Sequence, residues 1–233
     1  MISHKHKTIF VHVPKVAGIS IEKLFLDDLG LDYDNRSALH LGVNLNKNIG
    51  PPRVSHLTAK EYVEQHYISQ ELYDDYFTFG FVRNPYDRVY SFYKYLGYNS
   101  IISFEVFVLN YLEKLLHNSK LYYFLQPMYN YLYNSEKLLV DFVGKLEYIV
   151  KDIEKIYREI DLNKVSLTHS NKSEQIPLHT HIKRNFRIIN KYPQIIYKFN
   201  INKKSKNKEY TNQMKDKVFS LYEKDFLFFN YSK

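Results

Sequence analysis

The chain has 233 residues, 45% hydrophobic and 17% aromatic, with no cysteine and a formal net charge of +8. That length makes one domain, or one domain with a small addition, and the apolar content suffices for a real core. The missing cysteine excludes disulfides and thiolate chemistry, and no apolar run reaches the ~20 residues of a membrane span. The positive charge is local. Residues 183–208 hold nine Lys or Arg and no acidic residue, so +8 for the chain against +9 for this strip leaves −1 elsewhere. Basicity confined to one strip points away from a nucleic-acid-binding fold. Residues 1–7 are polar and basic with no apolar leader core, which together with the absent cysteine is compatible with a cytoplasmic protein. No His/Cys/Asp/Glu cluster has ligand spacing, so no metal is expected.

In chain order, Thr8 to Val13 is a short apolar, β-branched run that predicts a buried strand, stopped by Pro14. From Ile19 the apolar residues Ile21, Leu24, Phe25 and Leu29 recur at helical spacing. Between them lie Pro14-Lys15-Val16-Ala17-Gly18. A turn with a lysine and a glycine that feeds a helix start is an anion cradle. Helix-start amides point outward, the dipole favours negative charge, Gly18 admits close approach, and Lys15 and Ser20 add a charge and a hydroxyl. A phosphate-like or sulfate-like group is therefore expected at residues 14–20. The common nucleotide loops GxxxxGK[ST] and GxGxxG are absent.

Residues 30–55 read as irregular, broken by Gly30, Gly42, Gly50, Pro51 and Pro52. His56 follows, just ahead of a capping box at Thr58 and Glu61 that predicts a helix over 59–66. A helix start disfavours a nearby imidazolium, so His56 is expected to stay neutral and able to accept a proton. Phe77 to Val82 is a second buried strand. Arg83 ends it, Asn84 is a good N-cap and Pro85 suits the first helical position. Val89, Phe92, Tyr93 and Leu96 share one helix face, while Arg83 and Ser91 are placed to converge on one anion. Arg88 reads as a salt-bridged or snorkelling arginine, and Tyr86 and Tyr93 as packing. Further on, Ser103 caps a helix to about 117, Leu138 to Val143 reads as a strand, and Ile149 to Ile160 marks a helix. Thr211 caps the terminal one. Strand–loop–helix units with two anion sites fit an α/β fold: a mostly parallel sheet with helices on both faces.

Two segments carry a family resemblance. Phe10-Val-His-Val-Pro-Lys-Val-Ala-Gly-Ile-Ser20 resembles the 5'-phosphosulfate loop of the carbohydrate sulfotransferases (family 2), written F-V-H-I-P-K-T-A-G-T-S. Val16 and Ile19 stand where threonine is common. Phe81 to Tyr93 resembles the same family's 3'-phosphate motif, F-V-R-N-P-[YW]-D-R-[LV]-x-S-x-Y, almost unbroken. His56-Leu-Thr-Ala, Gln126-Pro, Asp141 to Glu147, Thr168 to Ser173 and Tyr222 to Asp225 follow in family order, so the resemblance covers most of the chain.

The resemblance implies a P-loop-like, three-layer domain over 1–233, with the basic strip 183–208 as an insertion. It implies 3'-phosphoadenosine 5'-phosphosulfate (PAPS) as donor and adenosine 3',5'-bisphosphate (PAP) as product, with no metal. The acceptor would be a carbohydrate or another hydroxyl-bearing compound, neutral or anionic. Pro14, Lys15, Val16, Ala17, Gly18, Ile19 and Ser20 would line the 5' side of the donor, with Lys15 also catalytic. Arg83 and Ser91 would take the 3'-phosphate, and His56 would be the base. Asn171 and Ser173 either close over the nucleotide or form an ordinary polar loop. His12 falls inside the strand and reads as structural, and His40 is the alternative base. Three other functions stay open: a non-catalytic nucleotide- or glycan-binding protein with a decayed donor loop, an atypical nucleotide kinase, and an RNA-binding protein that uses the basic strip. The strip 183–208 is either an inserted helix or hairpin with a solvated basic face, or a contact surface for an anionic acceptor.

Overall fold

Ile9, Phe10 and Val11 have no exposed surface, as expected for a strand covered on both sides. The structure, a computed structural model, describes residues 1–46, 49–160, 162, 178–198 and 208–233. Asn171 and Ser173 lie outside the described residues, as does 199–207 of the basic strip.

The chain opens with β1 (Ile2–Ser3), β2 (Thr8–Val11) and α1 (Gly18–Asp28). The stretch expected to be irregular contains 3₁₀ turns at Tyr33–Leu39 and Val54–His56. Then come α2 (Ala59–Glu64), α3 (Gln70–Asp75), β3 (Phe77–Val82) and α4 (Pro85–Tyr95). Next are α5 (Phe104–Val106), a π-helical stretch (Phe107–Tyr111), α6 (Leu112–Leu116), α7 (Ser119–Leu125) and α8 (Tyr129–Leu132). A small ribbon, β4 (Tyr133–Asn134) and β5 (Lys137–Leu138), precedes β6 (Phe142–Lys145) and α9 (Ile149–Glu159). Finally come α10 (Leu178–Lys191), a 3₁₀ turn at Pro193–Lys198, and α11 (Asn212–Phe228). This is an α/β fold, a mostly parallel sheet flanked by helices.

The residues group into two compact units, Met1–Arg83 with Gln126–Asn171, and Asn84–Leu125 with Lys172–Lys233. The first holds the sheet, in strand order β1-β2-β3-β6. β2 runs parallel to β3 (Phe10 opposite Phe79, Val11 opposite Gly80), and β3 parallel to β6 (Val82 opposite Lys145). The parallel strands therefore end at one edge, where loops in such sheets build ligand sites. Phe10 and Phe79 stack at 5.0 Å, and α1 lays Ile21, Leu24 and Phe25 inward. Each such burial contributes about 1.5–3 kcal/mol. A Cβ on Gly80 would come within 2.6 Å of Leu132, which explains the glycine in a central strand.

The second unit is helical. Val89, Phe92, Tyr93, Phe104, Phe107, Tyr222 and Phe226 belong to one buried cluster. Inside it Arg88 faces Asp225 at 3.9 Å, with side chains 1% and 0% exposed. Arg88 is thus buried and ion-paired rather than at the surface. Tyr93 is packed and donates to the Ile102 carbonyl at 2.6 Å, and Tyr86 packs on Tyr210 and Phe226. The described part of the basic strip is residues 183–198, in α10 and the following 3₁₀ turn, and Lys208. There Ile188 and Ile195 are buried while Phe186 and Arg187 are exposed.

Several expected boundaries shift. The strand expected over 138–143 breaks into a ribbon end and β6, because Asp141 turns aside to accept from the Thr78 amide and hydroxyl. The helix expected over 59–66 stops at Glu64, and His66 takes a left-handed φ of 59°.

Candidate functional site

The first unit gathers two corners and a histidine cluster at the carboxyl ends of β2 and β3. After Val11 the chain turns through Pro14 into α1. Lys15 and Ala17 adopt φ of 71° and 66°, a left-handed conformation that non-glycine residues seldom take. Strain of this kind, of order 1–3 kcal/mol per residue, concentrates at functional sites. Ala17 is the N-cap of α1 and offers no side-chain cap, and the first turn carries no acidic residue. No cap or carboxylate of the helix itself thus offsets the partial positive charge at the α1 N-terminus. Ser20 donates its own amide to the Ala17 carbonyl at 2.9 Å. Pro14 and Val16 are buried, Lys15, Ala17 and Ser20 are partly buried, and Ile19 is 53% exposed. Val16 therefore turns its side chain into the core. Gly18 is sterically required, because a Cβ there would land inside the His12 ring.

The second corner follows β3. Arg83, partly buried, donates from Nη1 to the Lys15 carbonyl at 3.4 Å. Its amide meets Met128 Sδ at 3.4 Å. Asn84 caps α4, accepting from the Tyr86 amide at 2.9 Å with Pro85 in the first turn. Ser91 is partly buried in the second turn of α4, in the other unit.

His56 sits in the 3₁₀ turn Val54–His56, ahead of the Thr58–Glu61 capping box, both halves of which form. Its ring is partly buried and stands edge-on to the His12 ring at 4.8 Å. Its Nδ1 lies 3.4 Å from the His12 carbonyl. A carbonyl only accepts, so in this contact Nδ1 is the donor. Burial, then the neighbouring His12, pushes His56 down to about 3. It is neutral as expected, but through burial and His12 rather than through the α2 N-terminus.

His12 is not inside the strand. The β2 ladder ends at Val11, and the His12 Nδ1 meets Glu22 Oε1 at 2.5 Å. Burial alone would raise the Glu22 carboxyl, but the charge and hydrogen bond of His12 outweigh it and hold Glu22 below its ordinary range. Burial, then the charge of Glu22, raises the Tyr33 phenol above its ordinary value. Sequence reasoning passed over Glu22. Its signal was a carboxylate on the apolar stripe of α1, one turn after Gly18 and one before Leu26, both of which are buried. His40, the alternative base, is exposed and packs edge-on to His4 at 6.0 Å.

Two other features stand apart. Ser3, His6 and Asp28 line up with contacts of 2.6 and 2.8 Å, but all three side chains are buried, so they tie β1 to the end of α1. A shallow cleft lined by Phe77, Phe142, Lys155 and Arg158 lies at the amino ends of β3 and β6, away from the corners. Among the described residues, no group of three or more His, Cys, Asp or Glu is placed to hold a metal ion, and no helix is long and apolar enough to cross a membrane.

The profile of the Sulfotransferase family matches residues 1–232. An uncharacterized protein of Archaeoglobus fulgidus is 33% identical over 99 residues, which is 41% of this chain and 76% of that protein. No solved structure matches the chain. By a match that spans nearly every residue, the chain belongs to the Sulfotransferase family.

Proposed function

We propose that the protein transfers a sulfuryl group from PAPS to a hydroxyl of a carbohydrate acceptor. The observation that supports this reading is the contact of Arg83 with the Lys15 carbonyl, which brings this arginine against the loop ahead of α1. Bound there, PAPS supplies an activated sulfuryl group. The loop amides of Ala17, Gly18 and Ile19, the Ser20 hydroxyl and the Lys15 ammonium hold the 5' side and stabilise the charge that develops on the leaving phosphate. Arg83 takes the 3'-phosphate through its fork of donors, and the Phe81–Tyr93 motif adds Ser91. His56 receives the acceptor's proton on Nε2 as the acceptor oxygen forms its bond to sulfur and the bond from sulfur to the phosphate oxygen breaks. The exposed Arg53, whose charge reaches His56, makes an anionic acceptor compatible with the site. The cysteine-free sequence is compatible with a cytoplasmic place of action.

Calorimetric titration with PAP tests the donor site, with binding expected for wild type and strongly weakened for Arg83→Ala. No binding to the wild type would end the reading. Labelled-sulfate transfer to a glycan panel then tests the reaction, with His56→Ala expected to lose about 10²–10⁴-fold in rate. PAP binding without transfer to any acceptor would favour a non-catalytic binding protein, and magnesium-dependent ATP turnover would favour a kinase.

A further inference from the structure

Two large apolar side chains stand in water in the loop that leads to His56: Leu45 is 93% exposed and Val43 69%. We propose that their face, continued by Arg53, is an acceptor subsite for an amphipathic molecule. The acceptor's head group, with the hydroxyl to be modified, sits at His56, and a hydrocarbon chain attached to that head group lies on Val43 and Leu45. This rests on the sulfuryl-transfer reading of the same site and names the acceptor's other end.

The face is set by pairing rather than by chance exposure. The Asn44 backbone amide donates to the Pro52 carbonyl at 3.1 Å, and the Val54 amide to the Gly42 carbonyl at 3.2 Å. These two bonds flank Val43 and Arg53, which are therefore an antiparallel pair with no hydrogen bond between its own members. In such a pair both side chains leave on one face, with Cβ atoms at most ~5.5 Å apart. Asn44, 5% exposed, points the other way and staples the loop. Its Nδ2 donates to the Ile49 and Pro51 carbonyls at 2.8 and 2.9 Å, and its Oδ1 accepts from the Asn46 amide at 2.9 Å. Leu45, two residues beyond Val43, returns to the outer face, and the alternation of exposed Val43, buried Asn44 and exposed Leu45 agrees.

Along this face the chemistry changes in order. Leu45 and Val43 are apolar, Arg53 beside Val43 is an exposed cation, and His56 follows three residues later. Arg53 is near enough for its charge to act on the His56 ring. A ligand with a hydrocarbon end and a polar or anionic head complements that order. The area fits a ligand chain better than a protein partner. Val43, Leu45 and the exposed Ile49 offer ~60–120 Å² each, together less than half of the ~800 Å² that each side of a stable protein complex buries.

Methyl and octyl glycosides of the same sugars, kept below micellar concentration, test this on the full chain. Saturation-transfer NMR titration reads their binding without any donor. The wild type is expected to bind the octyl compound at least tenfold more tightly, since at about fourfold per methylene two buried methylenes suffice. The kcat/KM for sulfuryl transfer is expected to follow the same ratio. Leu45→Asn combined with Val43→Thr is expected to reduce the preference to about threefold or less. Leu45→Asn alone serves if the pair lowers the unfolding temperature. No binding of the octyl compound, equal binding of the two, or a preference that the variants keep overturns the proposal. Flotation with phosphatidylcholine vesicles and analytical sedimentation are run alongside. Vesicle binding or self-association that the variants lose, without a chain-length preference for the monomeric glycosides, assigns the face to a bilayer or a second copy and overturns the proposal. If the wild type neither binds PAP nor transfers sulfuryl, the reaction fails, and the chain-length preference still decides the subsite.

Discussion

Arg83 and Lys15, 68 residues apart, meet through a hydrogen bond from Nη1 of the first to the carbonyl of the second at 3.4 Å. The parallel pairing of β2 and β3 brings them together, because both strands end at the same edge of the sheet. Arg83 thus braces the strained loop that it also faces. Hydrogen bonds to charged groups are worth about 1.5–3 kcal/mol, so Arg83→Ala is expected to weaken PAP binding by roughly 10–100-fold. Arg83→Lys should recover only part, since a point charge lacks the planar fork. Calorimetry checks both, and wild-type affinity in Arg83→Ala would remove the residue from the nucleotide site.

The turn before α1 gives two neighbouring substitutions opposite signs. Ala17 holds a left-handed φ of 66°, so Ala17→Gly should relieve strain and raise stability by about 1 kcal/mol. Gly18→Ala should do the reverse, because its Cβ would collide with the His12 ring. Thermal unfolding checks the first. Unfolding with PAP titration checks the second, where both stability and affinity are expected to fall.

His56 makes stability depend on pH in a defined window. Its value falls from 6.5 to about 3 on folding, so between those limits the unfolded chain takes up a proton that the folded chain refuses. Stability from this group is complete above 6.5 and is lost as pH falls toward 3, by up to about 1.4 kcal/mol per pH unit. Glu22, held below 4.5, adds a loss of the same sign at lower pH. Urea midpoints from pH 7 to pH 5 should decline less steeply in His56→Gln than in wild type, and parallel slopes would contradict the burial of this ring.

In the helical unit, Arg88 and Asp225 are an ion pair taken wholly out of water. Removing one partner strands the other charge, so Asp225→Ala should cost about 3–5 kcal/mol in denaturant unfolding. The double change of Arg88 and Asp225 to apolar residues should cost much less. Equal losses would mean that the pair itself, rather than the stranded charge, carries the stability.

Much of the architecture is legible from local pattern. The apolar runs at Thr8–Val11 and Phe77–Val82 are strands, the boxes at Thr58–Glu61 and Asn84–Pro85 start helices, and Ser103 and Thr211 cap theirs. Short helices such as α3, α7 and α8 escaped because they are too brief for a periodic stripe to stand out. The roles of His12 and Glu22 escaped for another reason. Their partnership spans a turn and depends on where the ladder stops, which local pattern does not encode.

By itself, then, the sequence determined two strand-to-helix corners rich in anion-binding groups, since side-chain period and capping chemistry act over a few residues. Only the tertiary structure decided that Arg83 reaches the Lys15 carbonyl, and that Glu22, His12 and His56 form one chain of contacts. Those outcomes depend on strand register and on which helix face turns inward, and both are settled by packing across distant parts of the chain.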